Sequence, residues 1–562
     1  MTWQEVAQKA QKYREETFAQ VKPPIPDVPS ELPLNVTGIP KEVLTAEEID
    51  ITESLPEELL SRIHSGKLKS VDVANAFLRR AGVASKLTNC VTELLPERAL
   101  ERARFLDEYF VTHGIIGPLH GLPISVKEHL GMKGMRTNAG FCSWWDKIAE
   151  DDALLLKLLW KAGCIFYVRT AEPQTLMHLE TSNNLYGVTV NPFNRNLTSG
   201  GSSGGEGALL GLRGSCMGVG SDIGGSIRGP AANNGVYGFR PSTSRLPTNG
   251  WIATMAGAEL ILGVVGPFST SLEGIKLFMR SALGTKPWLV EPSLLPMPWK
   301  DDESYLGPPG QKSLKIGVLW DDGVVKPHPP IIRALREVVE KVKNVPGVEV
   351  VDWKPYKHDL AWDIISALYF PDGAQQESEA IDASGEPWRP LSNFIIKENK
   401  NCKNLTMPGS WKLAIQRDAY RAEYAAVWNQ TASETGLDGE PAGMVDVIIC
   451  PVGPGAAPPH DQARYWGYTS QWNLLDYPAV VFPVSQVDPA IDKVEEGYKP
   501  MNESDEFNYK LYEPEKYRDA PISLQLVGRR YDDEKVIEAL EFIKDSIKLP
   551  FVDLTAGKKI LN

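Results

Sequence analysis

The chain has 562 residues, 42% of them hydrophobic and 23% charged, with a formal net charge of −13 at pH 7. This length allows one large α/β domain or several smaller ones, and it is ample for a sizeable core. The acidic balance excludes nucleic acid and anionic membrane as main partners, since nothing in the chain is basic enough to track phosphates.

Residues 1–20 read as a charged surface helix rather than a signal peptide, and 21–33 as a Pro-rich extended stretch. Thr45-Ala-Glu-Glu fits a capping start, and apolar residues at three- and four-residue intervals predict helices over 55–65 and 70–81. Residues 1–44 are therefore read as an N-terminal extension and 45–562 as one domain. From Leu122 the texture changes. Short β-branched runs at 122–127, 164–168, 316–320, 348–351, 445–450 and 480–484 predict strands. They alternate with helices such as 153–161, 331–342 and 533–547, which implies a sheet covered by helices on both faces. Residues 285–312 and 485–518, Pro-rich or charged and without strong periodicity, read as surface excursions. No apolar run approaches the ~18 residues of a membrane span, and the final Ile560-Leu561-Asn562 is not a peroxisomal address.

Six cysteines (Cys90, Cys142, Cys164, Cys216, Cys402, Cys450) lie far apart with no C-x-x-C pair. That usage fits buried thiols in a reducing compartment, so a cytoplasmic location is expected. Eight scattered histidines form no H-E-x-x-H, and neither a metal site nor a cofactor is expected.

The densest signal is Gly200–Gly238, with fourteen glycines and five serines in thirty-nine residues. A flexible linker would lack the apolar run Ala208-Leu209-Leu210, collagen would keep a three-residue period, and a nucleotide loop would need a complete G-x-G-x-x-G or Walker pattern. A Gly-rich packing turn remains the plain alternative. Gly200-Gly-Ser202-Ser203-Gly formally satisfies the G-x-S-x-G nucleophile elbow, but that mechanism needs a downstream histidine. His328, His358 and His460 sit in no motif, and His358, in a charged run, reads as solvated. Ser226 needs no histidine. The pair Gly224-Gly225 before it frees backbone N–H groups to converge as an oxyanion hole. A desolvated lysine can serve as its base, and Lys127, ending the apolar strand Ile124-Ser-Val126, is the candidate, against the plain reading of a solvated strand-end lysine.

These residues resemble the amidase signature family. Gly200-Gly-Ser-Ser-Gly-Gly, Gly220-Ser-Asp-Ile-Gly-Gly-Ser-Ile-Arg-Gly-Pro-Ala and Gly238-Phe-Arg-Pro-Ser are similar to its signature, and Gly121-Leu-Pro-Ile-Ser-Val-Lys127 to its lysine strand. Gly205-Glu206-Gly-Ala-Leu-Leu resembles the eukaryotic branch that holds fungal acetamidases and fatty acid amide hydrolase, and Pro118-Leu-His-Gly-Leu-Pro-Ile and Pro296-Met-Pro-Trp resemble the fungal acetamidases more closely. Arg240 departs from the lysine of many members but keeps the charge. The resemblance implies a mixed central sheet and a triad of Ser226 as nucleophile, Ser202 (after a cis peptide bond) as bridge and Lys127 as base. It further implies an oxyanion hole from the N–H groups of Ile223, Gly224, Gly225 and Ser226, and supporting roles for Ser203, Asp222 and Arg228. The resemblance also implies that the Leu176 backbone contacts substrate, alongside Ser202. Trp144, Trp145 and Trp472 are candidate pocket walls. The expected activity is hydrolysis of soluble primary amides of short or medium acyl chain, and of aryl amides. The rivals are a fatty-acid-amide hydrolase, an amidotransferase A subunit, and an inactive binding protein, which the intact triad positions disfavour. The expected partner is a small-molecule amide, with no nucleic acid and no membrane span, and a homodimer is compatible with the chain.

Overall fold

The computed structural model describes residues 1–301, 304–308, 310–436, 438–554 and the backbone of 558–559. The C-terminal tripeptide, which reads as no peroxisomal address, lies outside the described residues.

Eleven strands form the central sheet: β1 Val91–Leu94, β2 Pro123–Lys127, β3 Ile165–Thr170, β4 Met217–Asp222, β5 Tyr237–Arg240, β6 Val264–Ser269, β7 Leu314–Val318, β8 Val348–Asp352, β9 Val447–Pro451, β10 Ala479–Gln486 and β11 Pro521–Val527. Their spatial order is β1-β3-β2-β4-β6-β5-β10-β11-β9-β7-β8. The sheet is mixed. β2 runs parallel to both β3 and β4, the centre from β4 to β9 is antiparallel, and β9, β7 and β8 are parallel again. Every residue of β2, β3, β4 and β11 is buried, so both faces are covered there. The edge strand β8 alone alternates between half-buried and exposed positions over much of its length. This topology places the carboxyl ends of the parallel neighbours β2 and β4 side by side, where open α/β sheets bind ligands.

The helices follow the apolar periodicity. Trp3–Ala19 and Ala46–Glu53 both begin with reciprocal capping boxes, Thr2 with Glu5 and Thr45 with Glu48. The helix expected over 70–81 runs on, as Ser70–Thr88. Gly82, inside this helix, admits the Ile25 side chain of the Pro-rich stretch at the position of its missing Cβ. The helix stops at Asn89, whose φ of +58° is a left-handed cap.

The two supposed surface excursions are anchored by polar groups rather than by an apolar stripe, which is why they lack periodicity. Glu291 accepts the N–H groups of Thr248 and Asn249, and Leu294 is buried. In 485–518 a helix, Glu503–Leu511, starts on the Asn502 side chain, and Asp505, Tyr512 and Tyr517 are buried. His358 is likewise buried, not solvated, and burial pushes it down to about 4. It packs edge-on against Trp472 in an aromatic core with Tyr424 and Trp428.

Candidate functional site

Lys127 ends β2 with its side chain fully buried. Its Nζ lies 2.5 Å from Ser202 Oγ and 3.0 Å from Ser221 Oγ. Among the described residues no carboxylate comes within ion-pair distance of it. Burial therefore dominates and brings its pKa down to about 8, against the more distant pull of Glu172, Asp222 and Glu206.

Ser202 arrives on a loop that leads into the helix Gly204–Gly211. The Gly201–Ser202 peptide is cis. A Cβ on Gly201 would collide with the backbone of Glu180, at 2.6 Å from its N. The next residue ties the two serine segments together: Ser203 N–H donates to the Ser226 carbonyl at 3.1 Å, and the Ser203 hydroxyl lies 3.4 Å from both the N and O of Ser221. Glu206, one turn into the helix, is pushed up to about 7 by burial and accepts the hydroxyls of Ser125 and Thr170 at 2.6 Å each. Gly218 in β4 makes room for that carboxyl, since a Cβ there would overlap it and sit 2.6 Å from Ser125 Oγ.

Asp222 is the hub of the turn after β4. It accepts the N–H of Gly225 at 2.9 Å, of Ile227 at 3.1 Å, the Arg228 guanidinium at 3.0 and 3.1 Å, and Asn473 Nδ2 at 2.8 Å. Burial alone would raise its pKa, but Arg228 and these hydrogen bonds hold it at about 2. Arg228, fully buried, also reaches the Thr469 carbonyl and Asn473 Oδ1. Gly225 sits at φ +126°, closed to other residues, with the Thr469 side chain where a Cβ would be. The carbonyls of Ile223 and Gly224 are turned outward onto Tyr369 and Thr469 hydroxyls. Among the described residues, the amides of Ile223, Gly224 and Ser226 and the Ser226 hydroxyl have no hydrogen-bond partner. Those donors are available to an incoming oxygen.

Ser202, Ser221, Asp222, Ile223 and Ser226 all line one cavity of about 760 Å³, together with Thr175, Leu176 and Met177. Leu176 (φ +60°) follows Thr175 (φ +70°), two non-glycine residues in left-handed conformation that turn the backbone at the cavity edge. The opposite wall is the segment around Trp251, Met255, Ile261 and Leu262, backed by Glu291 and Leu294. The Ser202 and Ser226 hydroxyls share this space without a hydrogen bond to each other, Ser202 being engaged with Lys127. Trp144, Trp145 and Trp472 do not line it. Trp144 packs at a tilt on Phe141, Trp145 packs on Tyr13 of the N-terminal helix, and Trp472 belongs to the aromatic core. His328 and His460 are also elsewhere, the first on the Asn508 carbonyl and the second on Glu180.

Several residues of the site escape a sequence reading. His129, two positions beyond Lys127, contacts Ser221 at 2.9 Å. Ser221 itself is hidden among glycines. Thr469 and Asn473 reach the site from a helix, Gly467–Leu475, more than 240 positions along the chain, with no local signal.

The Amidase family profile matches residues 72–537 of this chain. An acetamidase of Emericella nidulans is 44% identical over 512 residues, covering 90% of this chain and 92% of its own. An acetamidase of Aspergillus oryzae is 42% identical over 504 residues, covering 89% and 91%. Among solved structures, a fatty acid amide hydrolase superposes with a TM-score of 0.89 at 36% identity, covering 98% of this chain and 97% of its own.

Proposed function

The chain belongs to the amidase family of amide-hydrolysing enzymes, and from that premise we propose that it works through a Ser226 acyl-enzyme with Ser202 and Lys127 as its proton relay. Neutral Lys127 accepts the Ser202 proton as Ser202 accepts that of Ser226. Ser226 Oγ bonds to the carbonyl carbon, and the carbonyl π pair moves onto oxygen. The amides of Ile223, Gly224 and Ser226 hold that oxyanion, with the Gly225 amide shared with Asp222. The proton returns through Ser202 to the amide nitrogen, the C–N bond breaks, and ammonia leaves. Water then takes the place of Ser226's hydroxyl in the relay, so that R–CONH2 and H2O become R–COOH and NH3. Amines depart poorly unless protonated, which makes the relay matter more for amides than for esters. Ser203, Asp222 and Arg228 hold the two serine loops in place.

The observation that carries this reading is Lys127: fully buried, free of any contacting carboxylate, with a pKa near 8, and 2.5 Å from a serine. A lysine kept for packing or charge pairing would be solvated or paired. For the substrate, similarity to acetamidases favours primary amides. The cavity of about 760 Å³ falls within the ~300–1,000 Å³ that holds drug-sized ligands, so medium acyl and aryl amides fit as well as acetamide. The likeness to a fatty acid amide hydrolase supports the second reading, a long-chain substrate. Six cysteines without a disulfide among them fit the reducing cytoplasm proposed as its location.

A fluorophosphonate should label the chain once, with the adduct mapping to Ser226. Label on Ser202 or Ser203 would move the case to an elbow-type hydrolase. Measuring kcat/KM from acetamide to a C18 amide decides the substrate class: a maximum at short or medium length supports the proposal, and a steady rise to C18 supports the long-chain reading.

A further inference from the structure

His129 is 1% exposed, and each of its ring nitrogens has one partner. Nδ1 lies 3.1 Å from the Ile252 carbonyl oxygen, and Nε2 lies 2.9 Å from Ser221 Oγ. Ser221 Oγ in turn lies 3.0 Å from Lys127 Nζ. These three contacts can be assigned directions from donor and acceptor chemistry alone. A carbonyl oxygen only accepts, so Nδ1 carries the ring proton, and in a neutral ring Nε2 is then a lone pair. Only the Ser221 hydroxyl can supply the hydrogen between Nε2 and Oγ. With its single hydrogen committed to the ring, Ser221 can meet Lys127 only as an acceptor. A neutral amine has two hydrogens and one lone pair. Ser221 takes a hydrogen, and the lone pair remains for the Ser202 hydroxyl at 2.5 Å.

We propose that His129 is a positioning residue of the amidase reaction, which turns the Ser221 hydrogen away from Lys127 so that the base's lone pair is left to Ser202. The inference rests on the reading of Lys127 as the base. The arrangement requires an uncharged ring, because an imidazolium would donate from both nitrogens and release the Ser221 hydrogen toward Lys127. The surroundings keep it uncharged. Burial above all, with the Arg169 charge, holds His129 well below the usual histidine range, and Lys127 adds to this whenever it is protonated. The other ionisable groups facing the cluster are Glu172, whose carboxyl accepts the His129 backbone N–H at 3.1 Å, and Asp222 and Glu206 around Lys127. The ring is clamped from the cavity wall as well, since Ile252 N–H donates to the His129 carbonyl at 2.8 Å and Trp251 lies against the ring at 5.7 Å between centroids.

The test is the pH dependence of kcat/KM and the kcat–KM split for an amide substrate, with thermal stability measured alongside. His129→Leu frees the Ser221 hydroxyl to donate into the lysine lone pair, which stabilises the neutral amine while occupying it. We expect kcat to fall about tenfold or more, KM to stay within about threefold, and the acid limb to move to lower pH. In a Ser221→Ala background, where there is no hydroxyl to orient, the same change should reduce kcat by less than about threefold. His129→Gln, whose Oε1 can accept at the Nε2 position, should retain most of the rate, whereas the shorter His129→Asn should resemble His129→Leu. This pair decides the matter if the leucine variant does not fold. An unmoved acid limb in His129→Leu, an equal loss in the Ser221→Ala background, or equal activity of the Gln and Asn variants would overturn the proposal. A wild-type enzyme without any acid limb would instead overturn Lys127 as the base, so the two failures are distinguishable.

Discussion

The floor and the wall of the cavity are built on opposite plans. The floor, from Gly200 to Arg228 with the ends of β2 and β4, buries almost every polar side chain and gives it a fixed partner. Asp222, Arg228, Thr469 and Asn473 lock the turn that carries Ser226. The wall, Thr248 to Gly263, has no helix or strand beyond a single bridge between Leu130 and Trp251, and Ile261 is its one buried residue. It is held from outside, by contacts such as Met255 N–H to Gln376 and the Thr254 hydroxyl to Glu377. Rate should reside in the rigid floor and substrate range in the looser wall. His129 is where the two meet, its ring held by the wall and directed at the floor.

The sharpest break of this comparison comes from the groups of the floor proposed to react. Ser226→Ala should lose about 10³-fold or more in kcat on every amide, whatever its acyl length. A loss confined to long substrates would mean that Ser226 belongs to binding and not to chemistry. On the proposed mechanism, Lys127 sets the pH dependence. With its pKa lowered to about 8, the reactive neutral form is depleted as pH falls. The wild-type kcat/KM should therefore drop about tenfold per pH unit below that value and level off above it. Lys127→Ala should remove this limb together with most of the amidase activity, and esters should suffer less than amides.

The second effect is on stability. Asp222→Asn leaves the Arg228 guanidinium buried without its carboxylate, which should cost about 3–5 kcal/mol in denaturant unfolding. The linked pH effect has a definite sign. Because the folded pKa of Asp222 is depressed to about 2 from 3.8, its contribution is present above pH 4 and is lost as pH falls from 4 towards 2. Acid unfolding of the wild type should be steep in that window and shallower in the variant.

Lys127→Met should act in the reverse direction. A lysine whose folded pKa is lowered from 10.5 to about 8 penalises folding at every pH below 8, because its proton must be carried into the core. Replacing it with an apolar side chain of similar length should raise stability at pH 7 by up to about 3 kcal/mol, less whatever its hydrogen bonds to Ser202 and Ser221 contribute. The gain should shrink as pH rises from 8 towards 10.5. A variant that is both inactive and no more stable than the wild type would show that the floor is not strained at its base.

The same division explains what could be read from the chain alone. Lys127, Ser202 and Ser226, the proposed triad, stand out in the sequence because their signals are local, in glycines that only a close backbone approach requires and in a lysine at the end of an apolar strand. The strand β4 was hidden for the same reason. Gly218 and Gly220, which admit Glu206 and Ser203, look like loop residues until the helix that covers them is placed. The supports of the floor are illegible because they come from afar. Thr469 and Asn473 share one helix face at i and i+4, a spacing found on any buried helix. The wall is the least legible of all, since Glu291 and Leu294 enter it from a Pro-rich segment with no periodicity. Aromatic character was a poor guide to it: Trp144, Trp145 and Trp472 pack elsewhere, and Trp251 lines the cavity instead.

The smallest effect should come from the wall itself. Leu262 lines the cavity yet is 41% exposed, so it contributes apolar surface without supporting the core. Leu262→Ala should leave stability and the rate on acetamide unchanged, because a two-carbon substrate held at Ser226 does not need the far wall. For a medium-chain amide such as octanamide, part of the contact with the distal methylenes is removed, each worth at most about 0.8 kcal/mol when fully buried. With Leu262 only partly covering the chain, the loss should be about 1 kcal/mol, a roughly fivefold rise in KM with kcat retained. The measurement is the ratio of kcat/KM for the two substrates in variant and wild type. An equal loss on acetamide would place Leu262 in the chemistry of the floor, and the distinction between the two sides of the cavity would fail.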